Sequence, residues 1–372
     1  MQLSAKHVIV ITILAAVLGA SVPCRALNLV SEYSIKLDEN DRVLGSLDEN
    51  YLIYGRPQIT LYNSRGKSIF SRKLTNNVKP TLSPSGKYLG LVTYADHSPT
   101  DLKTVRLELF DQAGKQLWKM PDPPPNTFFI TDRGTIFGVE GVKGIPPTRL
   151  YLYNQHGTQL NVLVIKEYHG LEIAPSAGKF IINKAREGLD VYDSLGNLLA
   201  TLPVSEMYIF DRDDRYIGTF YEGLFRLYQD EREVATITCA ENTLRAMATN
   251  VAKNIFVAMG PKKLQVFELT TQKLLWEYPL QAEALSYSSL SLSPDGQFIA
   301  CGIDVNGGTL VPKERRHVEG YVYVFPTNGQ TMISRHETYS RWGIGLPRAV
   351  FSASGGGVVV ETREKIEKFR LR

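Results

Sequence analysis

The chain has 372 residues, 43% of them hydrophobic and 22% charged, which excludes a disordered or collagen-like polypeptide. Its formal charge of +4 falls to +2 once Lys6 and Arg25 are removed with an N-terminal leader. That balance is too even for composition alone to indicate nucleic acid as a partner.

Residues 1–26 read as a secretory signal peptide. Met1–His7 carries a lysine and no acid, Val8–Val22 is almost entirely apolar, and Ala26 supplies a small residue for cleavage. The apolar run is shorter than the roughly 20 residues of a membrane-spanning helix, so a retained anchor is the weaker reading. Cys24 raises a lipoprotein alternative, but Ser21-Val22-Pro23 is a poor approach to a lipid-modified cysteine. The expected location is therefore periplasmic, cell-surface or secreted, with no transmembrane span after cleavage. The mature chain, residues 27–372, has no Asn-x-Ser/Thr glycosylation site and keeps only Cys239 and Cys301. Two small core hydrophobes are the expected state of that pair, with a disulfide as the alternative.

An internal repeat follows. Short alternating strands ending in an aromatic recur at Tyr62, Phe110, Tyr153, Tyr192, Tyr228, Phe267, Phe325 and Phe369, spaced by 36 to 58 residues. A glycine stands four positions beyond five of them: Gly66, Gly114, Gly157, Gly196 and Gly329. Asn63, Asp111, Asn154 and Asp193 directly follow the aromatic in four cases. An Asx side chain that bonds the backbone, followed by a glycine at positive φ, closes a tight hairpin. Upstream hairpins carry Pro and Gly, as in Ser83-Pro84-Ser85-Gly86 and Ser293-Pro294-Asp295-Gly296. Each repeat is thus two hairpins, a four-stranded antiparallel sheet, and no amphipathic helix of ten or more residues stands out.

One such sheet cannot cover both its faces, whereas sheets packed radially bury one another. The expected fold is all-β: a single-domain β-propeller of eight four-stranded blades, about 43 residues each. Seven is the alternative if Leu224–Tyr228, which lacks the glycine turn, is not a blade. The chain stops after the third strand of the last repeat, and Asn28–Leu37 is a spare strand before the first. It is expected to complete the final blade and remove two unpaired edges.

Ser293–Ala300 resembles the inner hairpin of WD-repeat-like propellers. Val266-Phe267-Glu268 through Tyr278, and Leu109-Phe110-Asp111 through Trp118, are similar to quinoprotein-like repeats. The resemblance reaches the superfamily only, for this chain has three tryptophans and Trp342 stands outside the repeated position. Quinoprotein-like propellers include dehydrogenases that bind pyrroloquinoline quinone with calcium, and scaffolds without a cofactor; fold does not choose between them.

No catalytic constellation is legible. The chain lacks a Cys-Cys pair and a Gly-x-Ser-x-Gly elbow, and its histidines are not at metal-ligand spacing. The acidic runs 38–41 and 211–214 lack the pattern of a calcium loop and read as solvated turns. Gly307-Gly308 and Gly355–Gly357 precede no helix that could hold a phosphate. No cofactor or metal is expected.

Loop length is more informative. The second-to-third strand connections and the blade-to-blade connections open on one rim, and the long segments Ala95–Lys103, Glu140–Thr148, Ile303–Glu319, Pro121–Asn126 and Arg335–Pro347 are assigned there. Long loops on a rigid scaffold are where recognition concentrates. Lys313, Arg315, Arg316 and His317 form a basic cluster on the longest insertion, and Arg335, His336, Tyr339, Arg341 and Trp342 mix cations with aromatics in the next segment. Arg, Tyr and Trp dominate binding hot spots. The expectation is a monomeric, non-enzymatic binding or scaffold module for a protein or an anionic envelope component. The alternatives are a solvated loop whose Trp342 plugs a blade junction, and an enzyme using the central funnel as quinone-dependent oxidoreductase or hydrolase.

Overall fold

The computed structural model describes residues 29–37, 42–45, 50–55, 58–74, 78–95, 104–121, 123, 127–142, 145–174, 176, 178–211, 214–230, 232–280, 289–304, 318–329, 334–340, 348–352, 355–362 and 365–371. They form eight antiparallel sheets of four strands, with two 3-10 turns, Ala185–Glu187 and Val251–Lys253, as the helical content among them. Blades one to seven span residues 42–73, 78–121, 127–165, 170–202, 207–238, 246–279 and 289–340. The eighth joins Arg348–Phe351, Gly357–Glu361 and Lys365–Leu371 to Leu29–Lys36, so the first strand of the chain is the outer strand of the last blade. Leu29 pairs with Leu371 and Lys36 with Lys365.

Eight hydrophobic clusters sit one at each of the eight blade junctions. This settles the blade number, and Leu224–Gln229 is the third strand of a true fifth blade. Phe180 and Ile182 face the third blade, while Ile181 between them faces the fifth. Side chains alternate across a strand, so a strand walled by blades on both sides is apolar at successive positions. Each fully buried Leu, Ile or Phe contributes roughly 1.5–3 kcal/mol, and no junction survives without its neighbour.

The turns obey local chemistry. Asn63 Oδ1 accepts from the Arg65 and Lys67 N–H groups at 3.0 Å each, and Asp111, Asn154 and Asp193 repeat the arrangement. Gly66, Gly114, Gly157 and Gly196 all have positive φ. Gly329 does not, and its N–H reaches the Pro326 carbonyl at 3.4 Å instead. In the fifth blade Asp230, with φ of 44°, turns a shorter hairpin, which is why that repeat lacks the glycine.

Two expected loops are strand. Ile136–Val142 and Ile145–Tyr153 run through the segment Glu140–Thr148, leaving residues 143–144 between them. The segment Arg335–Pro347, read as inter-blade linker, begins inside Ser334–Ser340, the fourth strand of the seventh blade, paired with Val318–Val324. Cys239 and Cys301 are unpaired and buried in separate junctions, and burial pushes both thiols up to about 12. Among the described residues no helix is long and apolar enough to cross a membrane.

Candidate functional site

First strands of neighbouring blades touch one another from blade one to blade three and from blade six to blade eight. Each runs toward its first-to-second strand turn, so those turns share one rim with the third-to-fourth strand turns. The other rim collects the second-to-third strand connections and the links between blades. The strand ends that flank 96–103, 305–317 and 341–347 all lie at this second rim by topology, and those three segments are themselves outside the described residues.

The sequence-predicted site divides accordingly. Lys313, Arg315, Arg316 and His317 lie outside the described residues, as do Arg341 and Trp342. Arg335, His336 and Tyr339 are not in a linker but on the outer strand of the seventh blade, opposite Tyr323, Val322 and Glu319. That register corrects the proposed cluster. Tyr339 stays at the loop-rich rim, whereas Arg335 and His336 are carried toward the middle of the blade. The sequence Ser-Arg-His-Glu-Thr-Tyr-Ser has no apolar alternation, because an outermost strand needs only a pairing edge, so no pattern betrayed it.

A second feature escaped sequence reading. At the short-turn end the channel widens into a cavity of about 570 Å³. On the side of blades five to eight Ile209, Met247, Leu290, Leu292, Val350 and Phe351 meet it, with Asp211, Thr249, Asn250, Ser291, Ser293 and Ser352 interspersed. Serine hydroxyls tie the wall together: Ser289 Oγ accepts from the Ala349 N–H at 2.9 Å and Ser291 Oγ from the Phe351 N–H at 3.2 Å. Ser85, Asp132 and Ser176 close the side of blades two to four.

The turns around this opening are bonded blade to blade. Asn50 Nδ2 donates to the Ser85 carbonyl at 3.4 Å, and Ser85 donates its N–H and O–H to Asp132 at 2.8 and 2.7 Å. Asp214 accepts from the Ser176 N–H, the Ser176 hydroxyl and the Gly178 N–H of the preceding blade. Asp211 Oδ1 accepts the Tyr216 N–H at 2.8 Å. Asp211 and Asp214 are therefore buried structural groups, not the solvated turn residues expected of this acidic run. Among the described residues no three His, Cys, Asp or Glu side chains gather as metal ligands.

Further along the axis Glu172 stands on the first strand of blade four, open to the channel yet crowded by protein, and desolvation raises its carboxyl above the ordinary range. Tyr208 on the next blade is raised by burial and by the nearby Glu172 charge. Glu361 is raised by burial, against the opposing pull of Arg348 at 3.8 Å.

This is the fold of a β-propeller of eight four-stranded blades. The chain is similar to the crystal structure of BamB from Moraxella catarrhalis, with a TM-score of 0.57 at 12% identity, covering 92% of this chain and 100% of that one. It is similar to the C-terminal WD40 domain of Sif2 to the same degree, with TM-score 0.57, 12% identity, and coverage of 92% and 98%. At that identity the likeness is one of fold. No protein-family model and no curated protein matches the chain.

Proposed function

We propose that the protein is an exported, non-catalytic β-propeller that binds a macromolecular partner through its loop-rich rim. Residues 1–26 act as the export signal and 27–372 fold as one monomeric domain. The observation that carries this reading is the inequality of the two rims. Tight Asx-glycine turns and inter-blade bonds finish one rim, while the longest separations between consecutive strands, 95–103, 280–288 and 305–317, open from strand ends at the other. A rigid ring presenting long loops on one side suits recognition.

Lys313, Arg315, Arg316 and His317, together with Tyr339, Arg341 and Trp342, supply cations and aromatics for an acidic protein surface or an anionic envelope component. Arg335 and His336 fall to the flank of that surface. A photo-crosslinking residue placed at His317, with Lys115 on the opposite rim as control, tests the reading in the native envelope. The expected result is one discrete adduct from position 317, none from 115, and loss of that adduct in Arg315→Ala/Arg316→Ala at unchanged melting temperature. Equal adducts from both positions, or an adduct indifferent to the double substitution, overturns it.

A further inference from the structure

The cavity at the short-turn end belongs to the rim that the proposed function leaves unused. Its volume, about 570 Å³, lies within the span of small-molecule sites. What it would take follows from the hydrogen-bond accounts of its lining. Most of its side-chain donors are spent on protein acceptors. Ser85 gives its N–H and O–H to Asp132, and Ser176 gives both to Asp214. Thr249 donates to the Ile255 carbonyl at 3.1 Å, Asn250 Nδ2 to the Pro294 carbonyl at 3.4 Å, and Ser293 to Asp295 at 2.6 Å.

Acceptor capacity remains. The bonds from Ser85 both fall on Asp132 Oδ1, and Asp132 lines the cavity. Two carboxylates, Asp132 and Asp211, line the cavity, and no lysine, arginine or histidine stands among its described lining residues. An anionic ligand would meet like charge. A cationic donor with an apolar body meets a carboxylate on one side and an aliphatic and aromatic wall on the other.

We infer that this cavity is a binding site for a small amphipathic amine, its apolar body against Met247, Leu290 and Phe351 and its ammonium group on Asp132. The site is independent of the loop-rich rim, and the failure of either leaves the other standing.

Calorimetric titration of the mature chain with three indoles of matched size, tryptamine, tryptophol and indole-3-acetate, tests the inference. Tryptamine is expected to bind about tenfold or more tightly than indole-3-acetate, with tryptophol between them. Asp132→Asn, which keeps an acceptor for Ser85, is expected to erase the preference for the amine over the alcohol. Ala248→Trp, which fills the cavity from its wall, is expected to abolish binding of all three at a similar melting temperature. Absence of tryptamine binding to the unaltered chain overturns the inference. So does equal or tighter binding of the carboxylate, and so does tryptamine binding that survives Ala248→Trp. The comparison of the three indoles on the unaltered chain decides the matter even if a variant fails to fold.

Discussion

Trp276, on the outer strand of the sixth blade, donates its indole N–H to the Thr327 carbonyl of the seventh at 2.9 Å. The same strand position recurs around the ring with different side chains. Phe70 lies over Gly114, and Trp118 over Gly157, each against the third-to-fourth strand turn of the next blade. Asn161 does the same work by hydrogen bond, Nδ2 to the Leu195 carbonyl at 2.9 Å. The turn glycines therefore have two duties: they supply positive φ and leave room for the neighbour's side chain. A Cβ at Gly114 would stand 2.2 Å from the Phe70 ring, whereas one at Gly157 would stand 3.4 Å from Trp118.

Trp276→Phe keeps the ring and removes the bond, leaving a buried carbonyl unpaired, and is expected to cost about 1–2 kcal/mol. Trp118 Nε1 meets no protein acceptor, so Trp118→Phe is expected to cost less than half as much. Urea unfolding midpoints of the two variants compare them directly; equal losses would mean that the tryptophans act by packing alone.

Asp214 holds the fourth and fifth blades together through one carboxylate, at a φ of 58° that asparagine tolerates and alanine resists. Asp214→Ala is expected to destabilise by about 3 kcal/mol and Asp214→Asn by about 1 kcal/mol. Denaturant titrations check the order; a neutral alanine variant would show that the inter-blade bonds carry no net stability.

Glu172 gives a pH dependence whose sign is fixed. Its folded pKa is raised, so the unfolded chain releases the proton first, near the ordinary value of about 4.3. Stability is therefore lost as pH rises through that region, and the penalty is complete above the folded pKa. Glu172→Gln is expected to stabilise at about pH 7 and to lose that advantage near pH 4. Thermal melting at both values tests it: an advantage that persists or grows on acidification contradicts the assigned shift.

The thiols provide a simple check of packing. Cys239 and Cys301 are 5% and 0% exposed. Both are expected to resist alkylation at neutral pH in the folded chain and to react together after unfolding. Fast labelling of either one in the folded chain would contradict its placement in a blade junction.

The ring was legible because aromatic third strands and Asx-glycine turns are local chemistry, repeated eight and four times with enough fidelity to count blades. Closure was legible for a related reason: a spare strand such as Leu29–Lys36 and a blade one strand short must find each other. Other features depend on neighbours distant in sequence. Pro146 and Pro147 read as loop, yet they open a third strand, where ladder hydrogen bonds are not yet required of every residue. Asp214 reads as solvent-facing because the turn it binds, at Ser176 and Gly178, lies in another blade. The cavity could not be read at all, since its wall draws residues from seven of the eight blades.

The ring is fastened where Leu29–Lys36 pairs with Lys365–Leu371, reinforced by Glu32, whose carboxylate reaches Lys368 at 3.6 Å and also pairs with Arg370. Amide hydrogen exchange across residues 29–36 tests that closure most directly. The account predicts protection comparable to Lys365–Leu371 and loss of both together as denaturant rises. Immediate exchange of residues 29–36 beside a protected Lys365–Leu371 would mean that the chain's first strand does not close the ring.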